Sequence, residues 1–481
     1  MINWRIIARI FSMLLILEGF FMLLSAAVSY IFGEHATSAF LYSALITLVT
    51  GLLVFTPLRH EEKITGKKEG YIIVTGAWVL IALFGTLPYL FSRSADNFTD
   101  AFFESISGFT TTGATIFPDV QSLQHGILFW RSLTQWLGGM GIIFLSQYIL
   151  PVFRTIYIQL PAVEFAGQPS DKIHPRIRDV AKRLVSIYAL ITLTEAIMLM
   201  IGGVPVFDSV CISFSTLSTG GFSTMNNGIT LFANGYVVIV ITIFMFLSGF
   251  NMTYIYFGAK ANFKKILNNE FYFYAGVCLF FMIVVSLILS VQPGISAGKA
   301  ISDGSFHVIS IITTTGFYIN DHQLWGNVII IIFFVLMFTG GTAGSTSGGL
   351  KILRLLIVAK NSQQELVRQL HLNAFIPVRL DQKVISQTTV FNLLVFISLY
   401  FLILCASALV LSFMNYDLVT SFSTSASMLA NIGPGLGSFG PFTNFSDMPL
   451  FGKWFLSALM ILGRLELLTV MVLFTRSFYK R

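Results

Sequence analysis

Residues 109–115 read FTTTGAT, and relatives of that stretch recur as TLSTGGF at 216–222, ITTTGFY at 312–318 and a more divergent LANIGPG at 429–435. The chemistry open to such a stretch is oxygen coordination. Threonine is compact and carries a hydroxyl acceptor. Glycine reaches conformations that let successive carbonyls face one way. A ring of carbonyls can replace the water around an alkali cation. Matching the four stretches by glycine selects Thr110, Thr111, Thr112 and Gly113; Leu217, Ser218, Thr219 and Gly220; Thr313, Thr314, Thr315 and Gly316; and Ala430, Asn431, Ile432 and Gly433. A single TTTG is explained as well by close helix packing. Four copies with the same flanks fit a cation selectivity filter better.

The flanks are what must position them. Each glycine follows a short, mostly apolar segment with small polar residues, at 100–109, 208–217, 304–313 and 417–429. Ten helical residues rise only ~15 Å, half of a ~30 Å hydrocarbon core. Such segments enter a membrane without crossing it. Non-helical backbone at that depth is tolerated only when enclosed by protein or lining a watery cavity. Half-helices entering from outside aim their partly negative carboxyl ends at the centre, which favours a cation there.

The rest of the chain is membrane-spanning in character. Hydrophobic residues make up 55% of the 481, charged residues 11%, and mean hydropathy is +0.80, where a soluble domain carries about 25% charged residues. The apolar runs predict ten full spans, at about 6–32, 39–58, 71–91, 127–150, 184–204, 231–257, 271–291, 325–350, 388–413 and 453–475. With the N-terminus inside, all but five of the 29 Lys and Arg fall on the inner side; the five are Arg93, Arg131, Lys299, Lys453 and Arg464. That bias predicts cytoplasmic N- and C-termini. It also accounts for the net charge of +7 through anionic lipid or a partner protein, without nucleic acid. Asp96, Asp100, Asp119, Asp208, Asp303, Asp321, Asp417 and Asp447 fall outside; they read as solvated loop residues that also concentrate cations at the mouth. The predicted fold is an all-α polytopic membrane protein. A two-span extension (1–60) precedes four span–loop–span units around one pore, at 61–153, 154–262, 263–383 and 384–481.

Two further features stand out. Five of the ten residues 340–349 are glycine (Gly340, Gly341, Gly344, Gly348 and Gly349), a density that melts a helix. Arg464 lies ten residues past Trp454, so ~15 Å into the last span, where an unpaired charge is costly. Glu466 is close in sequence but on another helical face. Glu18 and Glu195 are also intramembrane, and both read as hydrogen-bonded packing residues. GLGSFG at 435–440 and GSTSGGLK at 344–351 mimic phosphate loops, but neither follows a strand in a βαβ unit, so no nucleotide is expected on this chain. The three cysteines show no metal or disulfide spacing, and no catalytic set is visible, which argues against an enzyme.

At this point the chain resembles the bacterial Trk/Ktr potassium-uptake family over about 60–481, on the four filter stretches and their order. The extra pair of N-terminal spans resembles its TrkH subtype. The resemblance implies potassium as the transported ion, since glycine stands at all four filter positions. The fourth stretch, with Ala430, Asn431 and Ile432 in place of three threonines, departs from the pattern. It further implies that the loop at 340–349 is an intramembrane gate and that Arg464 adds a positive barrier against it. Also implied are a homodimer with one pore per chain, a cytosolic nucleotide-binding regulatory ring of TrkA type, and a place in the bacterial inner membrane. Two other functions remain open on the residues alone: a proton- or sodium-coupled symporter, and the potassium-translocating subunit of a pumping ATPase.

Overall fold

The computed structural model describes residues 2–59, 66–144, 173–232, 234–259, 266–371, 376–381 and 383–479. Helices α1 (Trp4–Ile31) and α2 (Ala36–Leu58) form an antiparallel pair at the amino end. Both keep apolar faces exposed, as lipid-facing helices do: Leu17, Phe20, Leu45 and Leu53 are open on the outside.

Four similar units follow. In each, a long apolar helix leads to a short buried one, then to an extended strand, then to a second, shorter helix. The leading helices are α3 (Lys67–Gly85, continued by α4, Leu87–Phe91), α7 (Ile173–Ile201), α11 (Asn269–Ser290) and α15 (Gln387–Phe413). The short helices are α5 (Phe98–Phe109), α8 (Val206–Leu217), α12 (Ala297–Ile312) and α16 (Leu418–Ala430). They match the predicted half-helices, and at 12, 12, 16 and 13 residues none crosses a bilayer. Side chains of Asn97, Ser296 and Asp417 cap three of them at the amino end, satisfying amide donors that a helix start leaves free.

The second helices depart from the prediction. They are α6 (His125–Phe144), α9 (Gly235–Ser248), α13 (Asn327–Leu336) and α17 (Leu450–Arg464). After α9 the chain bends by 110° into α10 (Met252–Ala259), and after α17 it bends by 113° toward α18 (Leu467–Met471). The α13 helix ends at Leu336, after ten residues, and α14 (Ile352–Leu370) begins only beyond the glycine-rich stretch. Among the described residues six helices are long and apolar enough to cross a membrane, or eight if each bent pair counts as one span. The predicted runs 231–257 and 453–475 are thus bent rather than straight, and the run at 325–350 is helical only over Asn327–Leu336. Hydropathy reports that a segment is apolar, not that it is straight, and the breaks lie inside apolar runs. The end of the predicted 127–150 span and the basic residues Arg154, Lys172, Lys260, Lys264 and Lys265 lie outside the described residues. One antiparallel hairpin (Arg379–Leu380 with Lys383–Val384) interrupts the helical pattern.

Candidate functional site

Each short helix ends the same way. A serine carbonyl five residues back (Ser107, Ser215, Ser310, Ser427) accepts from the amide of Thr112, Gly220, Thr315 and Ile432 respectively, at 2.8–2.9 Å. This closing bond forces the residue just before each amide into the left-handed region: Thr111 at φ 52, Thr219 at 55, Thr314 at 58 and Asn431 at 56. For β-branched threonine that is a genuine outlier, of a kind costing about 1–3 kcal/mol and persisting only where the surroundings impose it. The same departure in four places marks one repeated device.

Two residues on stands a glycine, also left-handed: Gly113 at φ 83, Gly221 at 78, Gly316 at 77 and Gly433 at 100. This corrects the second stretch. Its ring glycine is Gly221, and its strand is Ser218–Gly221 rather than Leu217–Gly220. Leu217 is the last residue of α8. With two glycines side by side, the sequence offered two registers.

The four strands close into a circle. A Cβ on Gly113 would overlap the carbonyl oxygen of Gly220; on Gly221, that of Thr315; on Gly316, that of Ile432; on Gly433, that of Thr112. Each glycine thus sits on the preceding-position carbonyl of the next unit, and the fourth returns to the first. A second circle lies further along the strands. Val120 N donates to Asn226 (2.6 Å), Ile229 N to Tyr318 O (3.3 Å), Gly437 N to Gln323 (2.7 Å) and Phe445 N to Thr115 O (2.8 Å). All the predicted filter residues are brought together except Leu217, which falls one step below its strand.

The acids of the outer half are not merely solvated. Asp208 accepts from the Thr224 hydroxyl (2.6 Å), Asp303 from Asn320 (2.7 Å) and Asp100 from Lys453 (2.6 Å). The first two of these bonds tie a short helix to its own outgoing strand. Glu104 does the same in the first unit, accepting from Ile116 N (2.9 Å) and from the Arg131 Nε (2.7 Å). Arg131, which falls within the predicted span 127–150, is buried; it reaches Ser223 O in the second strand (3.1 Å) and stacks over Phe222. Asp119 stays exposed, and its bond from Asn226 holds its carboxyl below the usual range.

Below the carboxyl ends of the short helices lies the glycine-rich stretch, folded back on itself. Thr339 pairs with Leu350, Leu350 N donates to Phe338 O (3.1 Å), and Gly341 N donates to the Ser347 hydroxyl (2.8 Å). Its apex touches three units at once. Gly348 N donates to the Thr314 hydroxyl (2.7 Å), the Thr346 hydroxyl donates to Leu217 O (3.0 Å), and a Cβ on Gly348 would overlap Ala430 O. Gly340 and Gly341 lie equally close to Gly348 O and Gly249 O, while Gly344 and Gly349 take positive φ. Arg464 is buried and donates to Thr346 O at 2.7 Å and Gly138 O at 3.4 Å. Its partners are carbonyls, not an acid; Glu466 pairs instead with Arg354 at 2.5 Å. Further out, the loop is held by Glu270, which accepts from Ala343 N (2.6 Å), and by Asn251, which donates to Ala343 O (2.6 Å).

With that geometry in place, relatives can be named. Residues 36–478 match the TrkH family, described as cation transport protein. The chain belongs to that family. It is 36% identical to the Trk system potassium uptake protein TrkH of Salmonella typhimurium, over 99% of this chain and all of that one. It is 31% identical to TrkG of Escherichia coli K12, over 99% of each. The crystal structure of the potassium transporter TrkH from Vibrio parahaemolyticus superposes with a TM-score of 0.89 at 31% identity, covering both chains fully. The helical fold is thus that of TrkH, and the chain is a multi-pass membrane protein.

Sequence reasoning passed over Gln135, Arg131, Glu104 and Glu270 as site residues. One signal was available: each is a large polar or charged residue inside or at the end of an apolar helix, where burial without partners is expensive. Glu18 does not fit that rule, because its enclosed carboxyl finds no hydrogen-bond donor among the described residues. The packing role expected for it rests on contact alone.

Proposed function

We propose that the chain is the potassium-permeating subunit of a Trk-type uptake system in the bacterial inner membrane, with both termini cytoplasmic. One observation carries the reading: the cyclic seating of Gly113, Gly221, Gly316 and Gly433 on the carbonyls of Gly220, Thr315, Ile432 and Thr112. Four strands held in a closed ring, each with two left-handed residues, offer main-chain oxygens to a dehydrated alkali ion. The short helices add their negative ends from outside. Glycine at every ring position, together with the potassium uptake by which the TrkH relatives are named, supports potassium.

Gating falls to the loop of Gly340, Gly341, Gly344, Gly348 and Gly349. It lies directly beneath the ring and is pinned by Arg464, whose positive charge opposes a descending cation. Glycine density gives the stretch a second conformation at low cost. A cytosolic nucleotide-binding ring of TrkA type is the partner that moves it, acting on a homodimer whose surroundings are membrane lipid. Potassium then descends the membrane potential, worth about 2.3 kcal/mol per charge per 100 mV.

The test is ionic. Gly113→Ser and Gly221→Ser should each admit sodium in rubidium and sodium flux assays on proteoliposomes, whereas Gly220→Ser should disturb folding or flux without the same signature. An unchanged rubidium-to-sodium ratio in both ring variants removes the filter. Resolvable unitary currents that need no second ion separate this reading from coupled symport.

A further inference from the structure

We infer that Gln135 is a selectivity-positioning residue: its side-chain amide stands in for the side chain that Gly220 lacks and sets the second carbonyl of the ring. The inference rests on the filter reading above and deepens it.

Gln135 lies on α6 and is fully buried. Its Nε2 donates to Gly220 O at 2.7 Å, and its Oε1 accepts from Phe222 N at 3.1 Å. The two backbone groups fix which end of the amide is which, since a carbonyl needs a donor and an N–H needs an acceptor. One rigid amide therefore brackets Gly221, the left-handed residue between them.

The paired glycines have different causes. Gly221 needs its φ of 78, but Gly220 is not among the positive-φ residues, so its φ does not call for glycine. What forbids a side chain there is Gln135, because a Cβ on Gly220 would overlap its amide carbon and oxygen. The other three strands are held at this position from within the ring or by packing. Thr112 and Thr315 bond to the threonines two residues earlier, each at 2.8 Å, and Thr112 also accepts from Asn431 at 2.9 Å. Ile432 is held by burial. Among the described residues, only the second strand has its carbonyl at this position bonded by a side chain of a neighbouring helix.

That difference has an ionic consequence. The Gly220 carbonyl spends one of its two lone pairs on Gln135 and is held back by it. Discrimination between potassium and sodium depends on the field strength and spacing of the ring oxygens. Released, this strand is free to close around the smaller ion.

The experiment uses the full chain in proteoliposomes and planar bilayers. Gln135→Leu keeps the approximate volume and removes both arms. It should lower the potassium-to-sodium permeability ratio by about five- to tenfold, the weight of about one ordinary hydrogen bond. Gln135→Glu keeps the acceptor arm and loses the donor, and should also lower the ratio. Gly220→Ala should fail alone and recover function when combined with Gln135→Ala, which clears the space. A wild-type ratio in both Gln135→Leu and Gln135→Glu, with thermal stability lowered or not, overturns the inference. So does a Gly220→Ala defect that Gln135→Ala cannot relieve. If Gly113→Ser shifts selectivity while the Gln135 variants do not, the positioning role falls and the filter stands. If none of them shifts it, both fall.

Discussion

The second and third units part company immediately below the ring of carbonyls. Phe246 and Phe338 occupy matching places near the ends of α9 and α13, each followed three residues later by glycine, Gly249 and Gly341; Trp136 and Gly139 repeat the pattern in the first unit. In the first two units the aromatic carbonyl accepts from a tyrosine of the next leading helix: Tyr188 to Trp136 O at 3.3 Å and Tyr274 to Phe246 O at 3.1 Å. The rings stack, with centroids 5.3 and 4.9 Å apart. In the third unit the corresponding tyrosine is Tyr400. Its hydroxyl is buried and finds no partner among the described residues, while the Phe338 carbonyl is occupied by Leu350 N of the returning loop. The same plan thus has two outcomes. Where the chain after the aromatic is ordinary, neighbouring units lock together. Where it is half glycine, the chain leaves the helix and takes the bond for itself.

The comparison can be broken in four ways, from the largest effect down. Deleting part of 340–349 removes the element that makes the third unit different, and basal potassium flux without any partner should rise on the order of tenfold or more, since ~1.4 kcal/mol between closed and open already does that. A folded, tightly closed deletion would remove the gate. Arg464→Ala takes away the loop's anchor and the positive charge under the ring; single-channel current should rise several-fold, and an equal or smaller current speaks against the barrier. Tyr274→Phe strips a satisfied bond and should cost about 1 kcal/mol of stability, read as a lower midpoint of thermal unfolding. Tyr400→Phe strips a hydroxyl that is unpaired while the loop is folded. It should leave that midpoint unchanged or slightly raised and lower the open probability by a few-fold. Equal destabilisation by the two phenylalanine variants would show that the second and third units do not differ here.

Much of this was readable in advance, and the limits of reading are physical. The four short helices were legible because a ten-residue apolar segment between spans has no other place to go. Arg464 and the glycine run were legible as local violations of membrane chemistry. The register of the second strand was not: TGG contains two glycines, and only φ tells Gly221 from Gly220. The broken helices after α9 and α17 were hidden because residues 249–251 and 465–466 sit inside runs that remain apolar on both sides. Asp208 and Asp303 were misread as solvated because their partners, Thr224 and Asn320, lie beyond the left-handed turn and not in the next helical turn.

By itself the sequence determined the membrane class, the short helices and the threonine–glycine strands, because hydropathy, segment length and glycine density are properties of neighbouring residues. Only the tertiary structure decided which carbonyls meet which glycines, how the loop packs beneath them and what holds the second strand. Those outcomes depend on atoms far apart along the chain: Gln135 and Gly220 are 85 residues apart, Thr346 and Leu217 129. No local pattern encodes a hydrogen bond that forms only once four units have closed into a ring.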